Sequence, residues 1–190
     1  MKLSSLCLTL AAAFAIGSTS AHAGVITVAS PNVPVEICDT CTVSSTLNVE
    51  RHGRVLDVNA LVNITHGWDA DLVLSLSHDG MTVLLSNRQG GSGGANYTDT
   101  LFDDGAAISI AEGYAYAPYT GSFRPEEALA AFIGHNVFGA WTLTVVDSEA
   151  GDAGSIDGWA LTAEVPEPGS LALFALAALG LGGARRRKLR

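Results

Sequence analysis

The alternation of apolar and polar residues constrains this chain most. Val58, Ala60, Val62 and Ile64 alternate with Asn59, Leu61, Asn63 and Thr65. Leu72, Leu74 and Leu76 alternate with Val73, Ser75 and Ser77. Near the end, Trp141, Leu143 and Val145 alternate with Thr142, Thr144 and Val146. Successive side chains of a strand point to opposite faces, so a period of two marks strands with one face in a core. Thr42–Val49 reads as a strand, Thr82–Ser86 as another after the turn His78-Asp79-Gly80, and Trp159, Leu161 and Ala163 as a last one. Strands rich in Thr and Val, separated by Asp, Gly and Asn clusters, predict an antiparallel sandwich. The one helical signal is Pro125-Glu126-Glu127 ahead of Ala128–Phe132. Proline in a first turn followed by two acids suits a helix start of a turn or two. No internal repeat is visible.

Both ends carry a different pattern. Met1-Lys2 is a small basic region, Leu3–Ile16 is apolar, and Ala21-His22-Ala23 is a small-x-small cleavage site. Residues 1–23 therefore read as a signal peptide, with a mature start at Gly24. Cys7 lies inside the apolar core and no cysteine follows the cleavage site, which excludes a lipoprotein signal. Residues 165–190 open with Val165-Pro166-Glu167-Pro168-Gly169-Ser170, continue through an apolar run from Leu171 to Gly183, and close on Arg185-Arg186-Arg187-Lys188-Leu189-Arg190. The prolines predict an extended, solvent-facing spacer. A helix from Leu171 to Ala184 is about 21 Å long against a hydrocarbon core of about 30 Å, which suits a temporary halt better than a permanent span. The basic end is held on the cytoplasmic side.

Pro166-Glu167-Pro168, the apolar segment and the basic cluster, in that order, resemble the PEP-CTERM sorting signal. The resemblance implies recognition by an exosortase-type membrane enzyme in a Gram-negative bacterium. It further implies removal of the tail, release or attachment at the cell surface, and only transient contact with the inner membrane. A plain C-terminal anchor is the other reading.

Between these segments, Gly24–Val165 is one modest domain. It carries four arginines, no lysine and every acid of the chain except Glu167, so four positive and 18 negative charges leave −14. Such a surface repels nucleic acid and anionic membrane and attracts divalent cations. Cys38 and Cys41, its only cysteines, are spaced Cys-Asp-Thr-Cys. In an exported protein this spacing predicts a local structural disulfide, since the pair precedes a strand rather than opening a helix. Thr42 stands where haem attachment requires histidine.

A second resemblance rests on an ordered series of segments. These are Asn63-Ile-Thr-His66, Asp71-Leu-Val-Leu-Ser-Leu76, Leu85-Ser-Asn-Arg-Gln-Gly-Gly-Ser-Gly93 and Phe102-Asp-Asp-Gly-Ala106. Pro118-Tyr-Thr-Gly121, Arg124-Pro-Glu126, Gly139-Ala-Trp-Thr-Leu143, Asp147, Gly151-Asp152 and Trp159 follow. Together they resemble the P domain, or Homo B domain, of subtilisin-like proprotein convertases. The resemblance implies an all-β jelly-roll sandwich of about eight antiparallel strands over residues 44–164, behind a lead-in of residues 24–43. In convertases the module packs beside the catalytic domain and supports its folding. Gly24–Thr42 is too short to hold such a catalytic domain, so fold is expected to carry over and proteolysis is not.

The remaining motifs point to little catalysis. Gly90-Gly91-Ser92-Gly93-Gly94 fits the written nucleophile-elbow pattern, but no helix start follows it, and the strained strand-to-helix turn is what the chemistry needs. His52, His66, His78 and His135 show no zinc-ligand spacing and read as scattered surface or half-buried groups. Asp71 and Asp103-Asp104 are candidate calcium ligands that fall in family segments, and Asp69, Asp147, Asp152 and Asp157 crowd neighbouring loops. Calcium takes several loop oxygens, and the competing reading is that these acids hydrogen-bond turn amides. Trp141 and Trp159 read as core and Trp68 as the one candidate for sugar stacking. The expected function is an exported, non-catalytic module with a structural or adhesive role at the cell surface or in an extracellular matrix, where polysaccharide would be its partner. The alternative is an accessory module that binds and stabilises a secreted subtilisin-like protease, and a hydrolase with an unrecognised site is the third reading.

Overall fold

The computed structural model describes residues 23–91, 94–115 and 117–167. The signal sequence up to His22, Ser92 and Gly93 of the elbow-like pattern, and the sorting tail from Pro168 onward lie outside the described residues.

Eleven strands build the domain: β1 (Ala23–Ala29), β2 (Val35–Ile37), β3 (Thr42–Val49), β4 (Asp57–His66), β5 (Leu72–His78), β6 (Met81–Asn87), β7 (Tyr97–Phe102), β8 (Ile108–Ser109), β9 (Tyr119–Arg124), β10 (Gly139–Asp147) and β11 (Gly154–Pro166). They form a seven-stranded sheet in the order β1-β11-β4-β7-β9-β8, with β2 also on β11, and a four-stranded sheet in the order β3-β10-β5-β6. The fold is thus all-β with two sheets. Of the eleven, β1 and β2 come from the lead-in, and β8 has only two residues. One difference is topological: β9 runs parallel to both β7 and β8. A parallel neighbour needs a crossover of a dozen or more residues, and residues 103–118 supply it after β7.

The alternation read in the sequence is the burial pattern. Val58, Ala60, Val62 and Ile64 of β4, Leu72, Leu74 and Leu76 of β5, and Trp141, Leu143 and Val145 of β10 all lie in the core. Asp79 and Gly80, both with positive φ, make the two-residue hairpin between β5 and β6. That is the backbone a type I′ turn requires, and it explains the Asp-Gly pair. Cys38 and Cys41 are disulfide-bonded in the loop between β2 and β3.

Three local expectations change. The lead-in belongs to the sandwich: β1 pairs with β11 from Ala23↔Pro166 to Ala29↔Ala160, and Ile26 and Val28 pack on the core. Val25 and Ile26 are adjacent apolar residues, and this hid the period of two. The spacer starts later than Val165, because that residue is fully buried at the end of β11 and lies over Gly53. The helical segment is only the 3-10 turn Leu129–Phe132. Glu126 and Glu127 donate their backbone N–H groups to Leu85 and Leu84 carbonyls, and their carboxylates accept the Asn87 and Leu84 amides. They satisfy the open edge of β6 instead of starting a helix, a use of acid at a sheet edge that propensity does not register.

Trp141 is fully buried, donates from Nε1 to the Val137 carbonyl at 2.9 Å, and stacks on His78 at 3.9 Å. Trp159 of the large sheet donates to Ser45 Oγ of the small sheet at 2.8 Å. Trp141→Ala is expected to destabilise the exported protein by about 3–5 kcal/mol, the scale for emptying a large aromatic site. Urea unfolding measures it, and a loss below about 1 kcal/mol would remove Trp141 from the centre of the core.

Candidate functional site

One end of the sandwich gathers most of the unusual polar groups. β4 ends there at His66, β10 ends at Asp147, and the 3-10 turn Asp69–Asp71 leads into β5. Asn96 precedes β7 and takes part in the same corner, its Oδ1 accepting the His66 amide at 3.0 Å. The disulfide loop props this end: the Cys41 carbonyl accepts the Asp147 N–H at 2.8 Å, and the Asp39 carboxylate accepts the Gly151 N–H.

His66 and Asp147 are both buried, with Nε2 and Oδ2 3.4 Å apart. Nδ1 lies 2.9 Å from the Trp68 carbonyl oxygen and 3.2 Å from the Trp68 nitrogen, so each ring nitrogen faces an oxygen that can only accept. His78 is buried as well, with its two ring nitrogens 2.8 Å and 2.7 Å from the Ala140 and Asn136 carbonyl oxygens. These two histidines are interior groups, contrary to the surface or half-buried expectation. Each has carbonyl or carboxylate partners within the fold, and such partners are invisible in ligand spacing. Among the described residues no serine, threonine or cysteine hydrogen-bonds a histidine nitrogen.

Asp69 is fully buried, and neither of its carboxylate oxygens has a hydrogen-bond partner. Burial pushes its pKa up to about 7, although the nearby Asn96 amide and His66 favour the charged form. The Asn96 amide influences the carboxylate without closing a hydrogen bond to it. The Asp71 carboxyl is also raised, first by burial and then by the charge of Asp147. The buried Tyr119 hydroxyl likewise lacks a partner, while the Tyr97 hydroxyl meets Ser86 Oγ at 3.2 Å. Both phenols are pushed up by burial, with a contribution from Asp69.

Asp71 does not meet Asp103 and Asp104. Asp71 sits beyond the His66 end of β4, whereas Asp103 follows Phe102, which pairs with Ala60. Along β4 these points are separated by roughly 20 Å, at about 3.3 Å per residue. Asp103 Oδ1 accepts the Gly105 N–H at 2.7 Å. Asp104 accepts the Leu129 and Ala130 amides through its two oxygens, at 2.9 Å and 2.7 Å. The three aspartates therefore do not form one ligand set, and among the described residues no three His, Cys, Asp or Glu side chains converge on a common metal position. Asp69 had no sequence signal beyond its place in a loop, because burial of a loop carboxylate depends on which segment folds over it.

Beside this end lies an open groove of about 490 Å³, lined by Asn63, Thr65, Asn96, Thr98 and Asp157 among others. Trp68 is 38% exposed nearby in sequence, after His66 and Gly67.

The family model for the proprotein convertase P-domain matches residues 55–163. The PEP-CTERM protein-sorting motif matches residues 164–188. No curated protein matches the chain. Among solved structures, the complex of Aeromonas sobria serine protease with its chaperone ORF2 is similar at 17% identity and a TM-score of 0.47, over 76% of this chain and 28% of that one. The serine protease of Aeromonas sobria alone is similar at 16% identity and a TM-score of 0.46, over 78% of this chain and 28% of that one. The chain thus spans well under a third of the protease chains it resembles.

Asp104 behaves as a cap for the turn Leu129–Phe132. Asp104→Ala is expected to cost about 1–2 kcal/mol, the upper part of the range for removing a capping side chain, because two amides lose their acceptor. Asp104→Asn should recover part of that loss in the same urea titration. Equal stability of Asp104→Ala and the parent protein would refute the capping role.

Proposed function

The chain belongs to the proprotein convertase P-domain family, and we propose that it serves as a non-catalytic structural or adhesive module in the extracellular polymer matrix of a Gram-negative bacterium. The adjoining sorting motif marks an exported protein sorted through its C-terminus by an exosortase-type enzyme. The observation that carries the reading is the junction of the two. The P-domain match ends at residue 163, the sorting match starts at residue 164, and β11 continues to Pro166. Almost no chain separates the folded module from the signal, which is how a domain would be built if its placement were its purpose. The groove between Asn63 and Asp157 adds chemistry suited to a polyhydroxyl chain. Amide and hydroxyl side chains line it, and two of them, Asn63 and Thr65, already accept or donate to neighbouring aspartates.

A second reading, the accessory module for a secreted subtilisin-like protease, is favoured by one feature. Leu56, Ile133 and Phe138 are exposed large apolar residues on two segments that hydrogen-bond each other through Val55 and His135. His52 stacks on Phe138 at 4.0 Å within this patch. Exposed apolar residues grouped in this way are a surface for protein contact.

Processing tests the sorting reading. Intact-mass measurement on protein from the native host should give a chain that lacks residues 1–23 and ends after Pro166. Retention of the Arg185–Arg190 cluster would leave a simple membrane anchor. Retention of purified protein by native exopolysaccharide, lost on paired substitution of Asn63 and Thr98 by Ala, would support the matrix role. A longer thermal half-life of a co-secreted protease, lost with Phe138→Asp, would favour the accessory role in its place.

A further inference from the structure

β1 stands at the end of the strand order of the large sheet and, among the described residues, pairs with β11 alone. The pairing runs from Ala23↔Pro166 to Ala29↔Ala160 without a register shift. The next residue fixes which backbone groups this ladder uses: Ser30 donates its N–H to the Trp159 carbonyl at 2.9 Å. In an antiparallel pair, hydrogen-bonded residues alternate with residues whose N–H and C=O point the other way. Ile26 and Val28 therefore turn their backbone groups to β11, and those of Val25, Thr27 and Ala29 aim outward. The Thr27 and Thr162 hydroxyls agree with this assignment, meeting at 3.3 Å as the closer side chains of a non-hydrogen-bonded pair do.

Open sheet edges are normally blunted by lysine, proline, a bulge or short length. β1 has none of these devices. Ala23–Ala29 holds no charge and no proline, and Val25 on its solvent face is 60% exposed. The other edges differ. β8 has only two residues, and the edge of β6 is covered by Glu126 and Glu127. β3 is open, but the Asp147 N–H on the Cys41 carbonyl sets its alternation, so its outward residues are Thr42, Ser44, Thr46 and Asn48. Their hydroxyl and amide side chains compete for the neighbouring backbone groups. β1 also lies outside the P-domain match over residues 55–163.

An outward row of N–H and C=O groups is satisfied by another extended strand. β1 is complementary to itself. Antiparallel pairing about a two-fold axis through Thr27 sets Thr27 opposite Thr27 of the partner subunit and Val25 opposite Ala29 of the partner subunit. All of these residues face outward, so each pair exchanges both hydrogen bonds. Ile26 then meets Val28 of the partner subunit on the side where both already pack against the core. On a domain of net charge −14, two copies can approach closely only along an uncharged segment, and β1 is one. Glu164 on β11 sits opposite Val25. Across a joined edge two such residues stand at least three strand spacings apart, roughly 14 Å. That exceeds the Debye length of about 8 Å at physiological salt, so their repulsion is largely screened there. We propose that β1 is a self-association edge, through which two copies of the exported chain join their seven-stranded sheets into one continuous sheet. This pairing does not depend on the matrix reading.

The test is the oligomeric state of the exported protein, by sedimentation equilibrium over a range of protein concentrations at low and at physiological salt. A reversible dimer is expected, and raising the salt should strengthen it. Amide hydrogen exchange read by NMR should show protection at Val25, Thr27 and Ala29 that grows with protein concentration. Ile26 and Val28 should be protected at every concentration. Thr27→Glu and Thr27→Lys each set like charges directly across the two-fold axis and should weaken the dimer about tenfold. A mixture of the two variants should associate at least as well as the parent protein, because Glu then faces Lys. A monomer at every concentration would overturn the proposal. A dimer that survives both substitutions, or that lacks the concentration-dependent protection, would place the contact elsewhere and equally defeat it. Dissociation by salt would mean attraction between charged faces, with the same consequence. Protection of these three amides only on addition of culture supernatant would assign the edge to a different protein and defeat self-association.

Discussion

Everything in this domain depends on two sheets meeting through inward rows of side chains from β4, β5, β10 and β11. The rows are aliphatic along most of their length, and they are tied by Trp159 donating across to Ser45 and by Trp141 packing against His78 and Phe132. Burial of apolar area is non-directional and proportional to the surface removed from water. It can bring two sheets together, but it cannot by itself select their register. Register comes from the polar attachments of the large side chains and from the turns at the sheet ends. The indole nitrogens of both tryptophans are satisfied within the core, so each ring has one seat, and the sheets are positioned by where those seats lie.

That division of labour explains what the sequence made legible. β4, β5 and β10 have one face in the core and one in a polar setting, so their side chains alternate and the strands could be read directly. β1 presents Val25 outward beside Ile26 inward, and its strand character is set by pairing with β11, a partner more than a hundred residues away. The short segment at Pro125 is a similar case. Its two glutamates carry a helix-start signal, but the open edge of β6 offers amide and carbonyl groups that outcompete a first helical turn. The candidate site was less legible still. Asp103 and Asp104 look alike in the sequence, yet one closes its own turn and the other reaches a turn 25 residues on. Asp69 is distinguished only by what lies over it. Local composition reports which residues favour loops, whereas the burial of a loop is a tertiary fact.

The charge of the domain gains a spatial meaning from the fold. The corner around His66 holds Asp69, Asp71 and Asp147 together with Glu149 and Asp152, and Arg88 is the basic residue that answers them. The disulfide loop is attached to this corner through the Cys41 carbonyl and the Asp39 carboxylate. A short covalent loop changes the unfolded chain little, so the bond between Cys38 and Cys41 contributes less through chain entropy than a long-range bridge would. Its local effect is geometrical: it fixes the carbonyl that receives the Asp147 amide, and so holds the strand end that carries the partner of His66.

The boundary between module and signal follows from the same pairing that incorporated the lead-in. β11 runs to Pro166 opposite Ala23, and Val165 fills the space above Gly53. Gly53 lies in the segment that accepts the Val137 amide, so the end of β11 also supports the loop bearing Phe138. Proline at the last position costs the sheet nothing, because it closes an edge pairing where a missing donor can be tolerated. The tripeptide that begins the sorting motif is therefore also the stop of the last strand. A cut upstream of Val165 would expose a buried side chain and unpair the start of β1, whereas a cut beyond Glu167 would leave every described strand intact. The match to the sorting motif, from residue 164, thus overlaps the last residues of β11.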